Sequence, residues 1–112
     1  MFEGRDEELA NTIGNVLLEI MPVGANKITA TSEVLEDWAK TGIEFEDASG
    51  VKGHFSFDDL PKAAIREVNR ALVELRTVMA QGGGAAWNRS VFTANRDATF
   101  NVEFSYEENP EH

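Results

Sequence analysis

The chain has 112 residues, 42% of them hydrophobic, no cysteine, and 10 basic against 20 acidic residues for a formal net charge of −10. That length fits one domain able to bury roughly 65% of the surface its unfolded form exposes, and the missing cysteines exclude a disulfide scaffold, a cysteine-ligated zinc site and a thiol nucleophile. The acid excess opposes binding to nucleic acid and to anionic membranes, both of which recruit Lys and Arg, and favours a basic protein partner.

The opening MFEGRDEELA lacks the basic and apolar regions of a secretory signal. No apolar run approaches the ~18 residues of a membrane-spanning helix, so a soluble, cytoplasmic protein is expected. Over residues 6–20, Leu9, Ile13, Val16, Leu17 and Ile20 recur at three- and four-residue spacing, which predicts a helix with one apolar stripe. Pro22 and Gly24 stop it. Residues 27–35 and 42–47 are predicted strands, marked by the branched or aromatic Ile28, Thr29, Thr31, Ile43 and Phe45. A third, short strand is expected over 51–55, after the turn DASG.

A second helix follows, with Asp58 or Asp59 as its cap, Pro61 in its first turn and Gly82, Gly83 and Gly84 ending it. Leu60, Ala64, Ile65, Val68, Leu72, Leu75 and Val78 keep its helical period. Residues 88–94 and 99–106 form a hairpin around Asn-Arg-Asp. The order α-β-β-(β)-α-β-β implies an α+β domain: an antiparallel sheet of four to five strands with both helices on one face.

The charge is uneven along this framework. Residues 33–47 contain Glu33, Glu36, Asp37, Glu44, Glu46 and Asp47 against Lys40 alone, a net of −5. Residues 103–111 add Glu103, Glu107, Glu108 and Glu111 with no base, a further −4. Strand alternation turns Ile43 and Phe45 inward with Phe100, Val102 and Phe104, and turns Glu44 and Glu46 outward with Asn101, Glu103 and Ser105. The sheet face away from the helices is therefore expected to be acidic. A solvated face is one reading of this clustering and a partner surface the other; the second is favoured by contrast with the second helix, which interleaves Lys62, Arg66, Arg70 and Arg76 among Glu67 and Glu74.

Little points to catalysis. His54 has no Asp or Glu at metal-ligand spacing, and His112 is terminal. None of Ser32, Ser49, Ser56, Ser90 or Ser105 lies in a nucleophile motif. The triple glycine follows a helix, whereas phosphate-binding glycines precede one. No cofactor, metal or catalytic residue is assigned. Trp87 is expected to plug the joint between the second helix and the sheet. Trp38, flanked by Glu36, Asp37 and Lys40 in an inter-strand connection, is the candidate interface anchor, with packing onto the edge of its own core as the alternative.

Residues 74–108, ELRTVMAQGGGAAWNRSVFTANRDATFNVEFSYEE, resemble the YezG-type immunity proteins of bacterial polymorphic toxin systems. The likeness rests on Glu74, Leu75 and Arg76, then Trp87, then Phe100, Asn101, Val102, Glu103, Phe104 and Tyr106. EVLEDWAKTGIEFED also resembles that family's first hairpin. The resemblance implies an antitoxin: a single immunity-protein-like domain over residues 1–112 that binds and neutralises a cognate toxin, expected to be a basic nuclease domain. Acidic Glu33, Glu36, Asp37, Glu44, Glu46, Asp47 and Glu103, with Trp38, are the expected contacts. Direct nucleic-acid and membrane binding are not expected. A non-catalytic adaptor or secretion-chaperone-like module remains an alternative, as does a small enzyme with carboxylate chemistry.

Overall fold

The apolar periods set the layers. The computed structural model describes residues 4–56, 58–83 and 87–106. Helix α1 (Arg5–Ile20) buries Leu9, Ala10, Ile13, Gly14, Val16 and Leu17 along one stripe. Asp6, Glu7 and Glu8 fall in its first turn, where negative charge complements the helix dipole. Met21 ends it, its N–H donating to the carbonyl of Leu18.

Strands β1 (Ala25–Val34), β2 (Ala39–Asp47) and β3 (Lys52–Gly53) precede helix α2 (Lys62–Gln81), and β4 (Arg89–Asn95) and β5 (Phe100–Ser105) follow it. The strands form one antiparallel sheet in the order β3-β2-β1-β4-β5. The α+β architecture expected from the sequence is thus present, with the third strand reduced to two residues. The β1–β2 hairpin is longer than expected, since β2 begins at Ala39.

The start of α2 differs from expectation. Pro61, in a non-helical conformation (φ −78°, ψ 79°), precedes the first helical residue, and no side chain caps the helix. Asp59 stands two positions before Pro61, too far upstream to reach the second or third helical N–H as a cap does. It is held in a local turn, where its carboxylate accepts the Ser56 hydroxyl at 3.0 Å. At the other end Gly82 and Gly83 close the helix onto Val78 and Ala80, Gly83 at φ +86°. Gly84, the third glycine of the expected stop, lies outside the described residues, as do Glu107, Glu108, Glu111 and His112.

Both helices cover one sheet face, α1 against β4 and β1, α2 against β2 and β1, and they pack on each other. Ile13, Leu17, Ile28, Val34, Val68, Leu72, Leu75 and Phe92 are buried at the centre. Trp87 plugs the joint as expected: it is buried, its ring lies 4.5 Å from that of Phe104, and its carbonyl accepts Arg76 Nε at 2.9 Å. Arg96 ties the opposite end together, donating to the carbonyls of Pro22 and Ala25. Among the described residues no helix is long and apolar enough to cross a membrane.

Candidate binding surface

Strand register decides the character of the outer face, and it overturns the expectation of an acidic one. Glu44 and Glu46 do point outward, but bases from neighbouring strands lie beside them. Lys27 is paired across β1–β2 with Glu46, Nζ to Oε1 3.9 Å. Glu44 lies 3.8 Å from Lys52 Nζ and 3.9 Å from His54 Nε2. Glu33 stands opposite Lys40 on one side and Arg89 on the other. Glu103 lies opposite Val91. Glu33, Glu44, Glu46 and Glu103 thus share the face with equal numbers of bases, Lys27, Lys40, Lys52 and Arg89. The expectation failed because charge was summed along segments, whereas the field of a sheet is set across strands. Exposed pairs of this kind contribute ~0–1 kcal/mol each to stability; among the described residues their balanced signs make the face a neutral checkerboard and not a single-sign patch.

Asp47 serves the β2–β3 turn. Its Oδ1 accepts the backbone N–H of Ser49 at 2.8 Å and of Val51 at 3.0 Å. Asp97 does the same in the β4–β5 turn, accepting the Thr99 hydroxyl at 2.7 Å and its N–H at 3.1 Å. Those two bonds, the hydroxyl first, hold the Asp97 carboxyl below its ordinary pKa. On α1, Arg5 bridges Glu74 of α2 and Glu8, which raises its already high pKa.

The remaining expected residues, Glu36, Asp37 and Trp38, come together at the tip of the β1–β2 hairpin. Leu35 N–H donates to the Trp38 carbonyl at 2.7 Å, directly after the Val34–Ala39 pair. Glu36 and Asp37 are therefore the two central residues of a tight turn on a continuous ladder. Trp38 consequently lies in a short four-residue connection, immediately before the first residue of β2. Leu35 and Trp38 are each 46% exposed, enough to offer apolar area to another molecule. A shallow groove of about 490 Å³ runs from Trp38, Asp37 and Ala39 to Asn69, Arg70, Val73 and Glu74 of α2. Trp38 thus lines a groove shared with α2 and keeps 46% of its surface exposed.

Sequence reasoning missed Leu35 and the α2 side of this groove. It also missed a polar chain behind the groove. The Thr41 hydroxyl lies 2.8 Å from that of Ser32 and donates to Asn69 Oδ1 at 2.5 Å. Ser90, opposite Ser32, is equally buried, and its hydroxyl has no hydrogen-bond partner among the described residues. The signal was in the sequence: Ser32 and Ser90 interrupt inward rows that otherwise read Ile28, Ala30, Val34 and Phe92, Ala94.

Among the described residues no three His, Asp or Glu side chains are grouped as metal ligands. The chain matches no family model and has no significant match among curated proteins.

Proposed function

We propose that this domain acts by binding another protein, as an immunity-type inhibitor that neutralises a toxin domain with a basic surface. The observation that carries the reading is the hairpin tip, where half-exposed Leu35 and Trp38 flank Glu36 and Asp37 in a hydrogen-bonded turn. A large aromatic with little conformational freedom is the side-chain type that dominates interface energetics, and the adjacent carboxylates favour a cationic counterpart. The resemblance of residues 74–108 to the YezG-type immunity proteins supports the same reading. The checkerboard of the outer face favours the tip over the sheet as the contact, with Glu36 and Asp37 meeting the partner and Glu44 and Glu46 pairing within the sheet.

The test is to express the C-terminal domain encoded immediately upstream, alone and with this protein, and to follow growth and co-purification. A domain that kills alone and is silenced in a stable complex is the expected result. Within that complex Trp38→Ala should weaken binding about 30-fold, the level of a 2 kcal/mol hot spot. Reversing Glu36 and Asp37 to Lys should slow association, while reversing Glu44 and Glu46 should leave it unchanged. A harmless domain, or no complex, overturns the toxin reading. A complex sensitive to Glu44 and Glu46 but indifferent to Trp38 overturns the placement at the tip.

A further inference from the structure

The two edges of the sheet are unlike. β3 is two residues long and carries Lys52, and both features discourage a further strand. β5 runs six residues without proline, lysine or a register shift against β4. Natural edges are usually blunted by such devices; among the described residues β5 has fewer of them, Glu103 being its one charged residue, so that edge is where pairing is to be sought.

The hydrogen-bond phase fixes what β5 offers. Val34 N–H donates to the Asn88 carbonyl at 2.8 Å, so the even-numbered residues of β4 bond to β1. The odd-numbered ones bond to β5, as the 2.9 Å bond from Asn95 N–H to the Thr99 carbonyl shows. Residues bonding one neighbour alternate with those bonding the other in an antiparallel strand. Phe100 and Val102 therefore aim N–H and C=O at the open edge. Their side chains lie on the helix side, where Phe100, Val102 and Phe104 are only half-buried because the helices lie mainly over β1, β2 and β4, with α1 reaching β5 where Gly14 meets Phe100.

We infer that two copies of this chain pair antiparallel through β5, with the twofold axis passing through Val102. This register sets the outward backbone groups of Val102 against those of its own mate. It places Phe100 of each copy opposite Phe104 of the other, extending the apolar row across the junction. On the outer face it sets Asn101 opposite Glu103 of the other copy, an amide donor facing a carboxylate. An axis through Glu103 instead would bring two carboxylates to ~4.5–5.5 Å, which is destabilising. The occupant that fits the edge in phase, apolar row and charge is the edge itself. This inference is independent of the toxin reading, since the tip and β5 are separate parts of the sheet.

Sedimentation equilibrium of the full chain tests it, using substitutions at exposed Asn101 that leave each copy's own fold alone. Asn101→Lys creates two Lys–Glu pairs per dimer and should tighten dimerisation about fivefold, whereas Asn101→Glu creates two like-charge pairs and should weaken it about fivefold. A chain monomeric at all concentrations up to hundreds of micromolar overturns the inference, and so does a dimer indifferent to both changes. Because the chain has no cysteine, Asn101→Cys mixed with Glu103→Cys provides a register check. Under mild oxidation the mixed disulfide should exceed either self-disulfide, and the reverse order refutes the axis at Val102.

Discussion

Gly14 lies on the buried face of α1 directly against β5. A Cβ built there would stand 2.5 Å from Phe100 Cε2 and 2.6 Å from both Cδ2 and Cζ. Carbon atoms in ordinary contact are ~3.5–4.0 Å apart, so Gly14→Ala requires about 1 Å of retreat. Three ring atoms are met at nearly the same distance, so turning the ring in place does not clear it. The relief has to come from a changed χ1 at Phe100 or from a shift of the strand that carries it. Overpacking of this kind costs ~1–3 kcal/mol, and alanine in a helix interior recovers ~0.8–1.0 kcal/mol over glycine. The expected result is a net loss of about 1 kcal/mol in urea unfolding at constant m-value. The sign is the sharper test. In a Phe100→Ala background the obstruction is gone, and Gly14→Ala should then stabilise by ~1 kcal/mol, the bare propensity gain. A cycle with no coupling between positions 14 and 100, or Gly14→Ala stabilising the unaltered chain, refutes the claim that β5 is seated on α1 through this contact.

Further outcomes follow from the polar chain and the β4–β5 turn. Thr41→Val leaves Ser32 and Asn69 without their shared partner and should cost ~1–3 kcal/mol, whereas Ser90→Ala removes a hydroxyl that has no partner and should change stability by no more than about 0.5 kcal/mol. Urea midpoints distinguish the pair, and equal losses would mean that burial alone, not bonding, sets the cost. Ala98 holds φ +72°, the left-handed position that a three-residue hairpin loop ordinarily gives to glycine. Ala98→Gly should relieve ~1–2 kcal/mol of strain against ~0.5–1 kcal/mol of added chain entropy and raise Tm by a few degrees; a fall contradicts the strain. The Asp97 carboxyl titrates below its ordinary value, so its contribution is present above the unfolded-state value of about 3.9 and is lost as pH falls through the folded one. Asp97→Asn should therefore be less stable at pH 7 and converge with the unaltered protein in strong acid, as followed by unfolding midpoints from neutral pH downward.

Much of the fold was legible because its signals are local. The stripe of Leu9, Ile13, Val16 and Leu17 and the alternation of Phe100, Val102 and Phe104 each repeat within a single element, so the sequence alone assigns both type and buried face. Trp87 was legible for a similar reason, being the large apolar residue at a helix-to-strand joint. What sequence reading lost depended on which strands become neighbours. Lys27, Lys52 and Arg89 come from three strands, and only the order β3-β2-β1-β4-β5 brings them among Glu33, Glu44 and Glu46. The groove under Trp38 was lost likewise, since Asn69 and Val73 meet the hairpin tip through tertiary packing. The cap of α2 failed for a local reason: Pro61 occupies the junction and sets Asp59 out of reach.

Acidity in this chain divides into several structural roles, and net charge conceals them. Asp6, Glu7 and Glu8 oppose the positive end of α1, Asp47 and Asp97 accept turn N–H groups, Glu74 holds Arg5, and Glu44 and Glu46 face lysines across the sheet. Each of these carboxylates is explained by the folded chain itself. At the hairpin tip the situation differs, because Glu36 and Asp37 are exposed and their neighbours are half-exposed Leu35 and Trp38. Coincidence of charge with ordered apolar surface, rather than the total of −10, is what distinguishes a recognition surface from a solvated one. The proposed interface at the tip would engage two carboxylates, not a whole acidic face. Its association rate should accordingly fall only gently with added salt, whereas attraction by an entire single-sign sheet would collapse within a Debye length of about 8–10 Å.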